Sequence, residues 1–221
     1  MSPHAPGDRE GRIALALKYA QDDLAREAWD LLREIAEAVD APAAALRLAS
    51  HLRAALGDAA GSLAFADRGL ADTPGDAPLL AQRGVALQAL GRPAEAADAY
   101  RAGLQVAPTS AELWNNLGLA LEDAGQAGEA VAAFETALKH QPAFVPAAAN
   151  LGALYAAAGR YAAAVEVCSA ALKSDSNHLP SRVNLAAALI EQARHAEAAE
   201  ILAPVADRPE AADTALYLQH Y

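Results

Sequence analysis

Cysteine occurs once in the 221 residues, at Cys168, so an intrachain disulfide is excluded and no cysteine cluster exists for zinc. Branched residues are also scarce: nine valines, four isoleucines and four threonines. A β-sandwich or a doubly wound sheet builds its strands from such residues, so neither fits. Positive charge is short as well, with 17 lysines and arginines against 28 aspartates and glutamates and a net charge of −11. Such a surface repels a phosphate backbone, which argues against nucleic-acid partners and disfavours an anionic membrane. The most apolar stretch, residues 143–158, is interrupted by Pro146 and Asn150 and is mostly alanine, short of a membrane span. The opening Met1-Ser2-Pro3-His4 is polar, with no basic start and apolar run, so a cytoplasmic location is expected.

What is abundant is alanine, 63 residues, and leucine, 30. Both are strong helix formers, and the composition predicts an all-α protein. Alanine buries little area, so helices built from it must approach closely and repeat many times to accumulate a core.

They do repeat. Gly57, Gly91, Gly125 and Gly159 are each 34 residues apart, as are Pro74, Pro108 and Pro142, and Gly84, Gly118 and Gly152. Ala96, Ala130, Ala164 and Ala198 form a fourth series, with Ala28 two periods earlier. The unit 111–144 shows the mechanics. A first helix from about Ala111 to Ala124 carries Leu113, Trp114, Leu117 and Leu121 at helical spacing. Thr109 and Glu112 have the spacing of a capping box at its start. Gly125 stops it, and a second helix runs from about Gly128 to His140 with Ala130, Phe134, Ala137 and Leu138 inward, until Pro142. Gly118 and Ala130 are small where the two helices cross, while Trp114 and Phe134 fill the space beside. Such a hairpin has two apolar faces and needs neighbours to bury both.

Trp114, Leu117, Gly118, Leu121, Ala130, Phe134, Ala137 and Pro142 together resemble the signature of the tetratricopeptide repeat (TPR) family. Units 77–110 and 145–178 carry much of the same pattern, although Arg83, Gly103, Cys168 and Ser176 depart from it. Units 9–42, 43–76 and 179–212 are weaker; Ser62, for example, replaces the crossing alanine. Six units therefore cover 9–212, between a disordered N-terminus, 1–8, and a C-terminal capping helix, 213–221. The resemblance implies a right-handed superhelical solenoid of about six helix-turn-helix units, the first helix of each lining a concave face.

On that face the sixth helical position carries Asn116, Asn150 and Asn184, with Gln82 one unit earlier. A carboxamide both donates and accepts, so such a ladder can hold an extended chain through its backbone. It resembles the asparagine ladder in the TPR region of O-linked N-acetylglucosamine transferase. Asn115, Leu119 and Glu122 complete the candidate peptide-binding set, shaping side-chain choice. Pro78, Glu112, Pro146 and Pro180 occupy the second position, where the resemblance to chaperone-binding TPR proteins would require cations. Capture of a chaperone's C-terminal tail is therefore disfavoured. Glu122, Asp123 and Glu191 add acidity to an apolar floor of Val85, Leu119, Ala153 and Ala157.

Catalytic patterns are missing. The six histidines show no i, i+3 or i, i+4 pair, the glycines are dispersed rather than clustered around a phosphate, and no Gly-x-Ser-x-Gly occurs. The sequence thus predicts a non-enzymatic module, without cofactor or metal, that binds an extended segment of another protein in its groove. Two alternatives stay open: the substrate-recognition part of a larger transferase or hydroxylase, and a self-assembling scaffold built on Leu216, Tyr217 and Leu218. Oligomeric state and partner identity are left undetermined.

Overall fold

A computed structural model describes residues 8–205. Twelve α-helices and a closing 3-10 turn account for nearly all of them: α1 Arg9–Gln21, α2 Ala25–Glu37, α3 Ala43–Ala55, α4 Ala59–Asp72, α5 Ala77–Ala89, α6 Pro93–Val106, α7 Ala111–Asp123, α8 Ala127–His140, α9 Val145–Ala157, α10 Tyr161–Ser174, α11 Leu179–Glu191 and α12 His195–Leu202. The odd-numbered helices start at 34-residue intervals, and so do the even-numbered ones. The chain divides into two compact units, one ending at Pro108 and the other starting at Thr109. Within each, every helix pair packs face to face and then packs on the next pair. The expected N-terminal segment, apart from Asp8, and the expected capping helix 213–221 lie outside the described residues. So does the end of the last unit.

Three registers build each hairpin. The first holds Ala16, Ser50, Gly84, Gly118, Gly152 and Ala186; the second, on the partner helix, Ala28, Ser62, Ala96, Ala130, Ala164 and Ala198. All twelve are buried. The third, one helical turn after the second, holds Leu32, Ala66, Tyr100, Phe134, Cys168 and Leu202, also buried. Large rings occur only where the first register is glycine. A Cβ on Gly118 would meet the Phe134 ring at 2.6 Å, and one on Gly84 would strike Tyr100. In the second hairpin the serines satisfy each other: Ser50 Oγ lies 2.9 Å from the Ser62 carbonyl oxygen, to which it donates, and 3.2 Å from Ser62 Oγ. Buried polar groups need such pairing.

One expectation is corrected at the start of α7. The cap is Ser110, whose hydroxyl accepts from the Leu113 amide at 3.2 Å. Because the helix begins at Ala111, Thr109 stays in the turn, and the third helical residue is Leu113, which has no carboxyl group to complete a capping box.

Each first helix ends alike. Gly125 turns left-handed at φ +76°, its amide donates to Glu122 O at 2.9 Å, and the Gln126 amide donates to Leu121 O at 2.8 Å. Asp23 and Ala193 sit at the same register in the end hairpins with φ of 59° and 58°. An L-residue there is strained by about 1 kcal/mol. Ala193→Gly is therefore expected to raise stability by about 1 kcal/mol, and Asp23→Gly by less, because aspartate tolerates this region better. Urea denaturation of the two variants checks the order.

Candidate functional site

The ladder of α7, α9 and α11 lies within the second unit. Asn116, Asn150 and Asn184 are half-buried, each one helical turn after a core position. Their amides are bonded in a repeating way. Asn150 Nδ2 donates to Asn115 Oδ1 at 3.0 Å, and Asn184 Nδ2 donates to the Ala149 carbonyl at 3.0 Å. In both cases a sixth-position amide reaches back to the fifth position of the preceding odd helix. Asn115 Nδ2 approaches Asn116 Oδ1 at 3.4 Å. Among the described residues Oδ1 of Asn150 and Asn184 accepts no bond and Nδ2 of Asn116 donates none, so the rungs present two acceptors and one amide donor.

The remaining candidates sort differently. Leu119 is half-buried and Glu122 exposed on α7, on the side of Asn116. Partial desolvation of its carboxyl, with Asp123 beside it, holds Glu122 above the usual carboxylate range. Asn115 is only 6% exposed, so it faces Asn150 rather than open solvent. Gln82 belongs to the first unit, where its Nε2 lies 3.5 Å from His51 Nδ1. The pairing of fifth and sixth positions was the feature sequence reasoning missed; two adjacent asparagines at 115 and 116 are its only trace.

These bonds join one hairpin to the next. Asn150→Ala leaves Asn115 Oδ1 buried without its donor, a loss of about 1–3 kcal/mol. A fall of that size in urea denaturation, against a smaller one for Asn116→Ala, whose Oδ1 accepts only the long 3.4 Å bond from Asn115, is the expected result.

Among the described residues no group of three or more His, Cys, Asp or Glu side chains is placed to hold a metal ion. No helix among them is long and apolar enough to cross a membrane.

Three family models described as tetratricopeptide repeat match the chain, over residues 77–120, 120–178 and 155–217. The chain belongs to the tetratricopeptide repeat family. No curated protein matches its sequence. Among solved TPR-like structures, PilF of Pseudomonas aeruginosa is 18% identical, with 96% of each chain covered and a TM-score of 0.83. PilW, a type IV pilus biogenesis factor, is 19% identical over 95% of this chain and 99% of its own, also at 0.83. A thermophilic TPR protein of Thermus thermophilus is 21% identical over 82% of this chain and 99% of its own, at 0.67. At these identities the likeness is one of fold. TPR arrays are protein–protein interaction modules, and that coarse role follows from the family.

Proposed function

We propose that this TPR protein is a non-enzymatic adaptor in the cytoplasm that holds an extended segment of a partner protein along α7, α9 and α11. The observation that carries the reading is the set of unspent hydrogen-bonding groups on the ladder. Asn116 offers an amide to a peptide carbonyl, while Asn150 and Asn184 offer carbonyls to peptide N–H groups. Packed helices stand about 8–10 Å apart, roughly the reach of three extended residues, so successive rungs can meet every third peptide unit. The donors that Asn150 and Asn184 spend on neighbouring hairpins fix the direction of their carbonyls in advance, which lowers the ordering cost of binding. Leu119 supplies an apolar contact, and the exposed Glu122 favours a basic residue in the partner.

A peptide selected from a random display library tests this. Its affinity for the wild type and for Asn116→Ala and Leu119→Ala is measured by isothermal titration. Losses of about 1 kcal/mol for Asn116→Ala support the reading. Unchanged affinity in both variants removes the site.

A further inference from the structure

A second feature of the second unit is built without the ladder's three asparagines. Between the start of α8 and the end of α9 a solvent-open groove of about 520 Å³ is walled by Gly128, Val131, Leu154, Ala157 and Ala158. Nothing lies within 4 Å of where a Cβ on Gly128 would stand. At its rim is Arg160, whose guanidinium carbon sits 4.1 Å from the centre of the Tyr155 ring. Tyr155 is itself fixed, its hydroxyl donating to Glu135 Oε1 at 2.5 Å.

The same register in other hairpins shows what is unusual. Arg92 binds Glu95 through two bonds of 2.7 and 2.6 Å, and Arg194 binds Glu197 through two of 2.8 and 2.7 Å. The third residue after Arg160 is Ala163, and Arg160 makes no ion pair among the described residues. Three repeats earlier Trp29 stands at the register of Val131, Arg53 at that of Tyr155 and Asp58 at that of Arg160, and Arg53 is paired with Asp58. Among these four described registers, an apolar floor beside a cation with no ion pair occurs at the α8–α9 groove. In a chain of net charge −11 such a cation is conspicuous.

We infer that this groove docks a segment of a partner protein bearing leucine-like side chains next to an aspartate or glutamate side chain. The aliphatic groups lie between Val131 and Leu154, and the carboxylate forms with Arg160 the bidentate pair that Glu95 and Glu197 form elsewhere. The groove is open along its length, so it receives side chains of a passing segment rather than a chain end. The groove shares α9 with the ladder but includes none of its three asparagines.

Fluorescence anisotropy with labelled peptides carrying a Leu-Leu-Glu core between Gly-Ser flanks provides the test. Leu-Leu-Lys and Ser-Ser-Glu peptides are the controls. The Leu-Leu-Glu peptide is expected to bind about tenfold tighter than either control. Arg160→Glu and Gly128→Leu, the second filling the groove, each weaken it about tenfold, Arg160→Lys weakens it less, and Asn116→Ala leaves it unchanged. Circular dichroism confirms that each variant is folded. Equal affinity for the three peptides, undiminished binding by Arg160→Glu, or no binding by the wild type overturns the inference. Loss of binding in Asn116→Ala with none in Arg160→Glu also overturns it, while leaving the ladder reading in place.

Discussion

Gly118→Ala lowers stability by about 2 kcal/mol, although an Ala for Gly exchange in an open helix raises it by about 1 kcal/mol. The reason is the fully buried Phe134 ring, three of whose carbons would stand 2.6–2.8 Å from the new methyl group. Neither partner can withdraw, because α7 and α8 are packed along their length. The chain itself supplies the rescue. Where the crossing residue is alanine, at Ala16 and Ala186, the third register holds leucine, at Leu32 and Leu202. Phe134→Leu is therefore expected to recover stability in the Gly118→Ala background while costing about 1 kcal/mol in the wild type. A double-mutant cycle by urea denaturation should return a coupling of about 1–2 kcal/mol. Additive losses would mean that the ring and the glycine are independent.

Cys168 gives the second large effect. It replaces the ring of its register, is completely buried, and would be struck by a Cβ on Gly152. Burial pushes its thiol from the ordinary value of 9.0 up to about 11. The folded state then keeps a proton that the unfolded chain releases. The stabilisation is whole below pH 9 and is lost as pH rises through 11, a total of about 3 kcal/mol. Lysines and tyrosines titrate over the same range, so the readout is the difference between wild type and Cys168→Ala. That difference should move against the wild type as pH rises from 8 to about 11. The native thiol should also resist alkylation at pH 8 and react promptly in urea. A parallel pH profile for the two proteins would show that the thiol is not desolvated.

The repeat was legible because glycine and alanine mark backbone demands directly. Gly125 signals a left-handed turn and Gly118 a close crossing, and both recur at 34 residues. The degenerate hairpins were harder, since the same positions are met by other chemistry. Ser50 and Ser62 replace two small residues by bonding to each other, and Asp23 and Ala193 accept strain where glycine would not be strained. Ser110 rather than Thr109 as the cap is a one-residue matter that two neighbouring hydroxyls leave open in a sequence. For the ladder, the sequence showed where the amides stand but not what they hold. Whether Asn150 donates to a ligand or to Asn115 depends on a side chain 35 positions away, beyond any local pattern. Arg160 was invisible for the converse reason: its significance is a missing glutamate at 163, apparent only once Arg92 and Arg194 are seen paired.

The central claim is that the carboxamides of α7, α9 and α11 hold a partner's backbone. The chain has only five asparagines, so their side-chain signals in a proton–nitrogen correlation spectrum are few and assignable. On titration with a library-selected peptide, the Asn116, Asn150 and Asn184 side-chain signals should shift together and saturate at one dissociation constant. Asn177, in the exposed turn before α11, should stay still. A peptide that binds while those three signals remain in place would contradict the account.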